Sequence, residues 1–288
     1  MNFIISSDSC LDEFKEITHK EQIHVIPMTV ITEEETFKDD FSSLEQYDNF
    51  YKEIGEGKIF KTASLNSFEL EEHFTNLLKQ DKDIIHFSLS SGLSVTYNVT
   101  KEVAERLNQN NNRKIYVVDT LSATQGQNLL VKYAIKLRDE NVFPHEAYNK
   151  LVEAVKHLDV AFFVTDFDCL KRGGRVSGAQ AVVGKLVGIR PVLDFDTVGK
   201  LRVVSKVIGN KKALAALCSR LENYDEEMGL PFFITHTGNF DVAQELTAMV
   251  KEKYPNAPIL EKYIGPTIGS HTGQGALGLV FLGKGERK

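Results

Sequence analysis

The chain has 288 residues, enough for two domains or one large one at roughly 150 residues per domain, and its 42% hydrophobic and 26% charged residues are those of an ordinary globular protein. Asp and Glu outnumber Lys and Arg by 40 to 34, and a net charge of -6 argues against nonspecific nucleic-acid binding, whose affinity comes from basic side chains neutralising phosphates. Cys10, Cys169 and Cys218 lie far apart without the spacing of a zinc or redox motif. The N-terminal MNFIISSDSC lacks the basic and long apolar regions of a secretion signal, and no apolar run reaches the ~20 residues that cross a bilayer. The expectation is a reduced, cytoplasmic protein with no stable membrane insertion, in which the Asn98-Val99-Thr100 sequon has no use.

In chain order, FII at 3–5 predicts a buried strand, and IHVIPMTVIT at 23–32 predicts one or two more, with Pro27 marking a break or an edge. DIIHFSL at 83–89 and IYVV at 115–118 predict two further strands. Val99, Val103, Ala104 and Leu107 share one helical face, Leu129, Leu130, Tyr133, Ala134 and Leu137 a second, and Ala147, Leu151, Ala154, Val155 and Leu158 a third. Asn108 to Asn112 reads as a solvated loop. Buried strands alternating with amphipathic helices predict an N-terminal α/β domain over 1–160, with a doubly wound, mainly parallel sheet.

After VAFFVT at 160–165 the pattern changes. RPVLDFD and KLRVVSKV flank Thr197-Val198-Gly199 as a hairpin would, and FFIT at 232–235 and ILEKYI at 259–264 enclose a helix at 240–253. This predicts a C-terminal α+β domain over 161–288 with an antiparallel sheet. No linker rich in Gly, Pro or Ser separates the halves, so they should pack closely.

Hydroxyl residues gather after the predicted strands: Ser6, Ser7 and Ser9, then Ser88, Ser90, Ser91, Ser94 and Thr96, then Thr120, Ser122 and Thr124. In an open α/β sheet, ligands bind outside the carboxyl ends of the strands. A single serine such as Ser94 or Ser122 reads better as a helix N-cap than as a ligand group. The SSGLS cluster offers more than one cap needs, and its hydroxyls and free N–H groups suit a carboxylate or phosphate. Lys171-Arg172-Gly173-Gly174-Arg175-Val176-Ser177 reads either as a basic turn in solvent or as a flexible loop that meets a negatively charged ligand or partner. Gly265 to Gly275 reads as a glycine-rich loop between two strands, with His271 inside it.

Other motifs fail on context. Gly273-Gln274-Gly275-Ala276-Leu277-Gly278 spells GxGxxG but precedes a strand, and Gly184-Lys185 is followed by Leu186 with Ala179 where a P-loop needs glycine. No GxSxG, HExxH or EF-hand loop occurs, and Asp39-Asp40 reads as a charged turn. No cofactor or metal is expected.

Six motifs together carry a resemblance. Ser7-Asp8-Ser9, Lys61-Thr62-Ala63-Ser64, the run Leu89 to Tyr97, Val118-Asp119-Thr120, Arg172 to Ser177 and Ile264 to Gly273 occur in the order that marks the DegV family, so the chain resembles that family over nearly its whole length. The resemblance implies two domains with a small inserted segment around 55–80 and a long-chain fatty acid between them. It further implies a non-catalytic carrier, the fatty-acid-binding subunit of bacterial fatty acid kinase in phospholipid metabolism. Such a carrier presents the acyl carboxylate to a separate ATP-binding, dihydroxyacetone-kinase-like subunit. By motif position, Thr62 and Ser94 would hold the carboxylate with His271 close by, Ser91 and Ser64 are additional candidates, and Arg172 and Arg175 would face the partner or active site. Ala63 stands where the family usually has Ser, removing a hydroxyl, and Val95 stands where a glycine would leave the loop wider. The rival readings are a serine hydrolase using Ser94 with His271 and a regulatory lipid-binding protein.

Overall fold

The computed structural model describes residues 2–40, 42–165, 167–176 and 188–287. Its strands are β1 (Phe3–Asp8), β2 (Ile23–Ile26), β3 (Thr29–Ile31), β4 (Thr36–Lys38), β5 (Lys61–Ala63), β6 (Asp83–Ser88), β7 (Ile115–Asp119), β8 (Leu158–Phe163), β9 (Ile189–Phe195), β10 (Leu201–Ile208), β11 (Phe232–His236), β12 (Ile259–Tyr263) and β13 (Leu277–Leu282). The helices are α1 (Lys15–Lys20), α2 (Leu44–Gly55), α3 (Ser67–Leu78), α4 (Thr96–Gln109), α5 (Gln125–Asp139), α6 (Pro144–His157), α7 (Phe167–Gly173), α8 (Gly209–Cys218), α9 (Phe240–Lys253) and α10 (Pro266–Thr272).

The early apolar runs form a parallel sheet in the order β2-β1-β6-β7. Every residue of β1 is buried, as a strand covered by helices on both faces requires. A second sheet has the order β10-β9-β8-β13-β11-β12 and is antiparallel except between β11 and β12. Its β9–β10 hairpin turns at Gly199, whose φ of 73° is where glycine is favoured. The fold is therefore the expected combination of a mainly parallel α/β sheet and an α+β part, and α9 has the bounds that its periodicity predicts.

A third, small sheet runs β4-β3-β5. Tyr47, Phe50 and Tyr51 of α2 pack with Val30, Phe60 and Tyr263 into a core of its own. The Tyr51 hydroxyl donates to the Ile264 carbonyl at 2.6 Å, and Thr267 at the start of α10 donates its backbone N–H to Asp39 at 3.1 Å. Asp39 is thus buried at 6% exposure rather than part of a charged turn, because α10 needs an acceptor for its N-terminal amides; only Asp40 is exposed.

α5 lies between the two large sheets and packs against β1 and β6 on one side and β8, β11 and β13 on the other. That is why Gln125, Gln127 and Asn128 are buried beside Leu129, Leu130 and Val131. A Cβ on Gly126 would stand 2.1 Å from Ser122 Oγ and 3.1 Å from the Val160 side chain, so glycine leaves room for the Ser122 side chain between the first turn of α5 and its surroundings. Asn108 lies inside α4, and its side chain donates to the Ile115 carbonyl at 3.0 Å and accepts from the Ile115 amide at 2.8 Å. The asparagine run therefore begins as a fastening of α4 to β7, and the turn follows it. Among the described residues no helix is long and apolar enough to cross a membrane.

Candidate functional site

Asp8, at the end of β1, organises the loops of the parallel sheet. Its carboxylate accepts from the backbone amides of Leu89 at 2.7 Å and Cys10 at 3.1 Å and from the Gln127 side chain at 2.8 Å. Burial pushes the Asp8 carboxyl above its ordinary range, and these hydrogen bonds pull it back. Ser6 and Ser7 lie within β1, where Ser6 bonds His73 and His86 and Ser7 donates to Phe87, so neither reaches the cleft.

The loop after β6 leans on the other sheet. Ser90 Oγ donates to the Gly199 carbonyl at 2.7 Å, and a Cβ on Gly92 would stand 2.4 Å from Gly199 backbone atoms, so glycine is required for this contact. Ser94 Oγ lies 2.9 Å from Thr96 Oγ1 and 3.4 Å from Ser64 Oγ, and accepts from the Thr96 amide at 3.2 Å. It therefore serves the first turn of α4 and still lines the cleft. Ser122 is no cap, since α5 begins at Gln125 with Thr124 in the N-cap position and no side-chain cap hydrogen bond.

Thr62 comes from β5, where it pairs with Val30 of β3, and its Oγ1 lies 3.0 Å from His271 Nε2. His271 is carried by α10, a helix where the sequence reads as a loop; Pro266 at its first turn and Gly273 after its end are the punctuation that marks it. Arg172 likewise sits on a helix, α7, and Ser177 of the same motif lies outside the described residues. Gly173 brings α7 against the imidazole, since a Cβ there would stand 2.4 Å from His271 Nδ1.

Thr62, Ala63, Ser64, Ser94, Arg175 and His271 thus line one cavity of about 60 Å³. Arg172 is exposed beside it, and Ser91 does not line it; the Ser91 amide is instead held by Asp119 at 3.1 Å. Val95 is 59% exposed with an ordinary φ of -75°, so it leaves the cavity no narrower. Among the described residues no hydrogen bond links Ser94 to His271, the pair that a serine hydrolase would need.

A second cavity of about 40 Å³ continues inward. It shares Leu93, Leu201, Ile268 and Thr272 with the first, and beyond them Val160, Phe162, Phe195 and Gly278 make it almost wholly apolar. The strand residues among them all belong to the second sheet, with Leu93 of the loop after β6 facing them, and sequence patterning does not distinguish them from core.

Burial, then the charges of Arg175 and Arg172, push the His271 imidazole down to about 4, so it is neutral at neutral pH. The unfolded group titrates near 6.5, so between these values the unfolded chain binds more protons and unliganded stability falls as the pH drops. His73, also held at about 4, acts in the same direction, and Asp39, raised to about 6, opposes both. His271→Gln is expected to flatten the fall in melting temperature between pH 6.5 and about 4, and an unchanged slope would contradict this account.

The DegV family model, described as "Uncharacterised protein, DegV family", matches residues 2–284. The chain is 35% identical to the DegV domain-containing protein CPE0026 of Clostridium perfringens, over 98% of this chain and 97% of that one. It is 31% identical to a "Fatty acid-binding protein" of Thermotoga maritima, over 96% of each. The crystal structure of DegV from Bacillus subtilis, described as a fatty acid binding protein, superposes with a TM-score of 0.84 at 29% identity, covering 99% of this chain and 100% of that one. The chain belongs to the DegV family.

Proposed function

We propose that this chain binds one long-chain fatty acid between its two domains, 1–160 and 161–288, and presents the carboxylate to a separate ATP-binding subunit in the cytoplasm. The observation that carries this reading is the continuity of a hydroxyl- and imidazole-lined cavity with an apolar one between the sheets. The carboxylate meets Thr62, Ser94 and neutral His271, with Arg175 supplying positive charge at the rim. The acyl chain follows the apolar path, at roughly 0.8 kcal/mol per buried methylene. Leu93, Leu201 and Ile268, which line both cavities, turn aside to admit it. Arg172 and Arg175, exposed beside the head-group end, offer charge to a partner that carries nucleotide phosphates.

Native mass spectrometry before and after delipidation tests the first step. One fatty acid of long chain length is expected per protein, either co-purified or restored by incubation, and no mass increment with any of several fatty acids would overturn the proposal. The second step predicts ATP consumption only when fatty acid, this chain and the kinase subunit are all present.

A further inference from the structure

Among the described residues three threonines line the inner, apolar cavity, and they differ in what their hydroxyls do. Thr272 donates to the Ile268 carbonyl at 3.3 Å, and the Thr235 hydroxyl is sealed within the wall. Thr124 is 8% exposed, its hydroxyl is not sealed, and among the described residues it has no hydrogen-bond partner. A threonine just before a helix ordinarily turns its oxygen onto the first amides, but this one leaves α5 uncapped. Its backbone, at φ 53° and ψ -129°, lies where a β-branched residue is strained, so threonine does not fill this position by default. Around it stand Val160, Phe162, Phe195 and Ile264, and no charged side chain among the described residues lines the cavity.

A saturated hydrocarbon chain entering this space strips the Thr124 hydroxyl of water and returns no bond, whereas a chain bearing its own hydroxyl at that depth can both donate to it and accept from it. A charged substituent is disfavoured there for want of a counter-charge. The depth corresponds to the interior of the chain, because this cavity lies beyond Leu93, Leu201 and Ile268 from the one lined by Thr62, Ser94 and His271. Resting on the reading that the acyl chain follows this path, we propose that the preferred ligand is a long-chain fatty acid with a neutral hydroxyl in the middle of its chain, bonded to the Thr124 hydroxyl.

The test compares affinities of the delipidated full chain for octadecanoic acid, for its mid-chain hydroxy isomers and for the isomer hydroxylated next to the carboxylate. At least one mid-chain isomer is expected to bind about threefold to tenfold more tightly than octadecanoic acid, the range that one neutral hydrogen bond gives. Thr124→Val, which keeps the branch and removes the oxygen, should erase that preference, and Thr124→Ser should retain it. Failure of every acid to bind would overturn the fatty-acid reading together with this proposal. Octadecanoic acid that binds with no mid-chain isomer surpassing it, an equal gain from the isomer hydroxylated next to the carboxylate, or a preference that survives Thr124→Val would overturn the proposal alone.

Discussion

Replacing Thr62 by alanine is expected to lower fatty-acid affinity about tenfold to a hundredfold with little change in melting temperature. Hydrogen bonds to a charged group contribute roughly 1.5–3 kcal/mol, and about 1.4 kcal/mol is a decade of affinity. Ala63 supplies no second hydroxyl on the same strand, so the larger end of that range is expected. Ser94→Ala should differ from Thr62→Ala in one respect. Its hydroxyl also accepts from the Thr96 amide, so losing it costs about 0.5–1.5 kcal/mol of stability as a lost neutral hydrogen bond does, in addition to affinity. Paired melting and binding measurements separate the two effects. A Thr62→Ala protein that binds as tightly as the parent, or a destabilised Ser94→Ala protein with unchanged affinity, would remove that residue from the head-group site.

Gly278→Val should weaken binding of long chains about a hundredfold while sparing short ones. Gly278 sits in β13 opposite Phe162 of β8 and Thr235 of β11, and a Cβ there would stand 3.0 Å from both side chains. All three residues line the apolar cavity, so a valine projects into the proposed acyl path. Excluding about four methylenes forfeits ~3 kcal/mol at roughly 0.8 kcal/mol each, a loss of about a hundredfold. Overpacking adds a stability cost of about 1–3 kcal/mol. Affinities across fatty acids of increasing length decide the matter: a uniform loss at every length would indicate general distortion instead of a blocked path.

The parts legible in the sequence are those with enough residues to show a period. β1, β6 and β7 read as short buried runs, and α4, α5, α6 and α9 repeat their apolar face over several turns. β4 and β5 have three residues each, too few for alternation to register, and α7 and α10 have seven each and are bordered by the glycines Gly174, Gly265 and Gly273, which usually mark loops. The residues of the proposed head-group site were legible as motifs, but their meeting was not, since Thr62 and His271 are 209 positions apart and touch through tertiary packing. The burial of Asp39 was hidden for the same reason, because its partner Thr267 lies 228 positions away. Gly278 gave no functional signal, since a glycine in a strand states only that a side chain is missing.

α5 carries a consequence for how the molecule comes apart. Because this helix supplies core to both large sheets, and residues from both fall in one hydrophobic cluster with it, neither sheet loses α5 without exposing its own buried face. The halves are expected to melt in one cooperative transition, and the α5 amides to exchange with solvent only when the whole protein opens. Hydrogen exchange that released one sheet, with α5, well before the other would show two independent folding units. A protein built in this way can let the short connections around its cleft fluctuate for ligand passage while its interior stays closed.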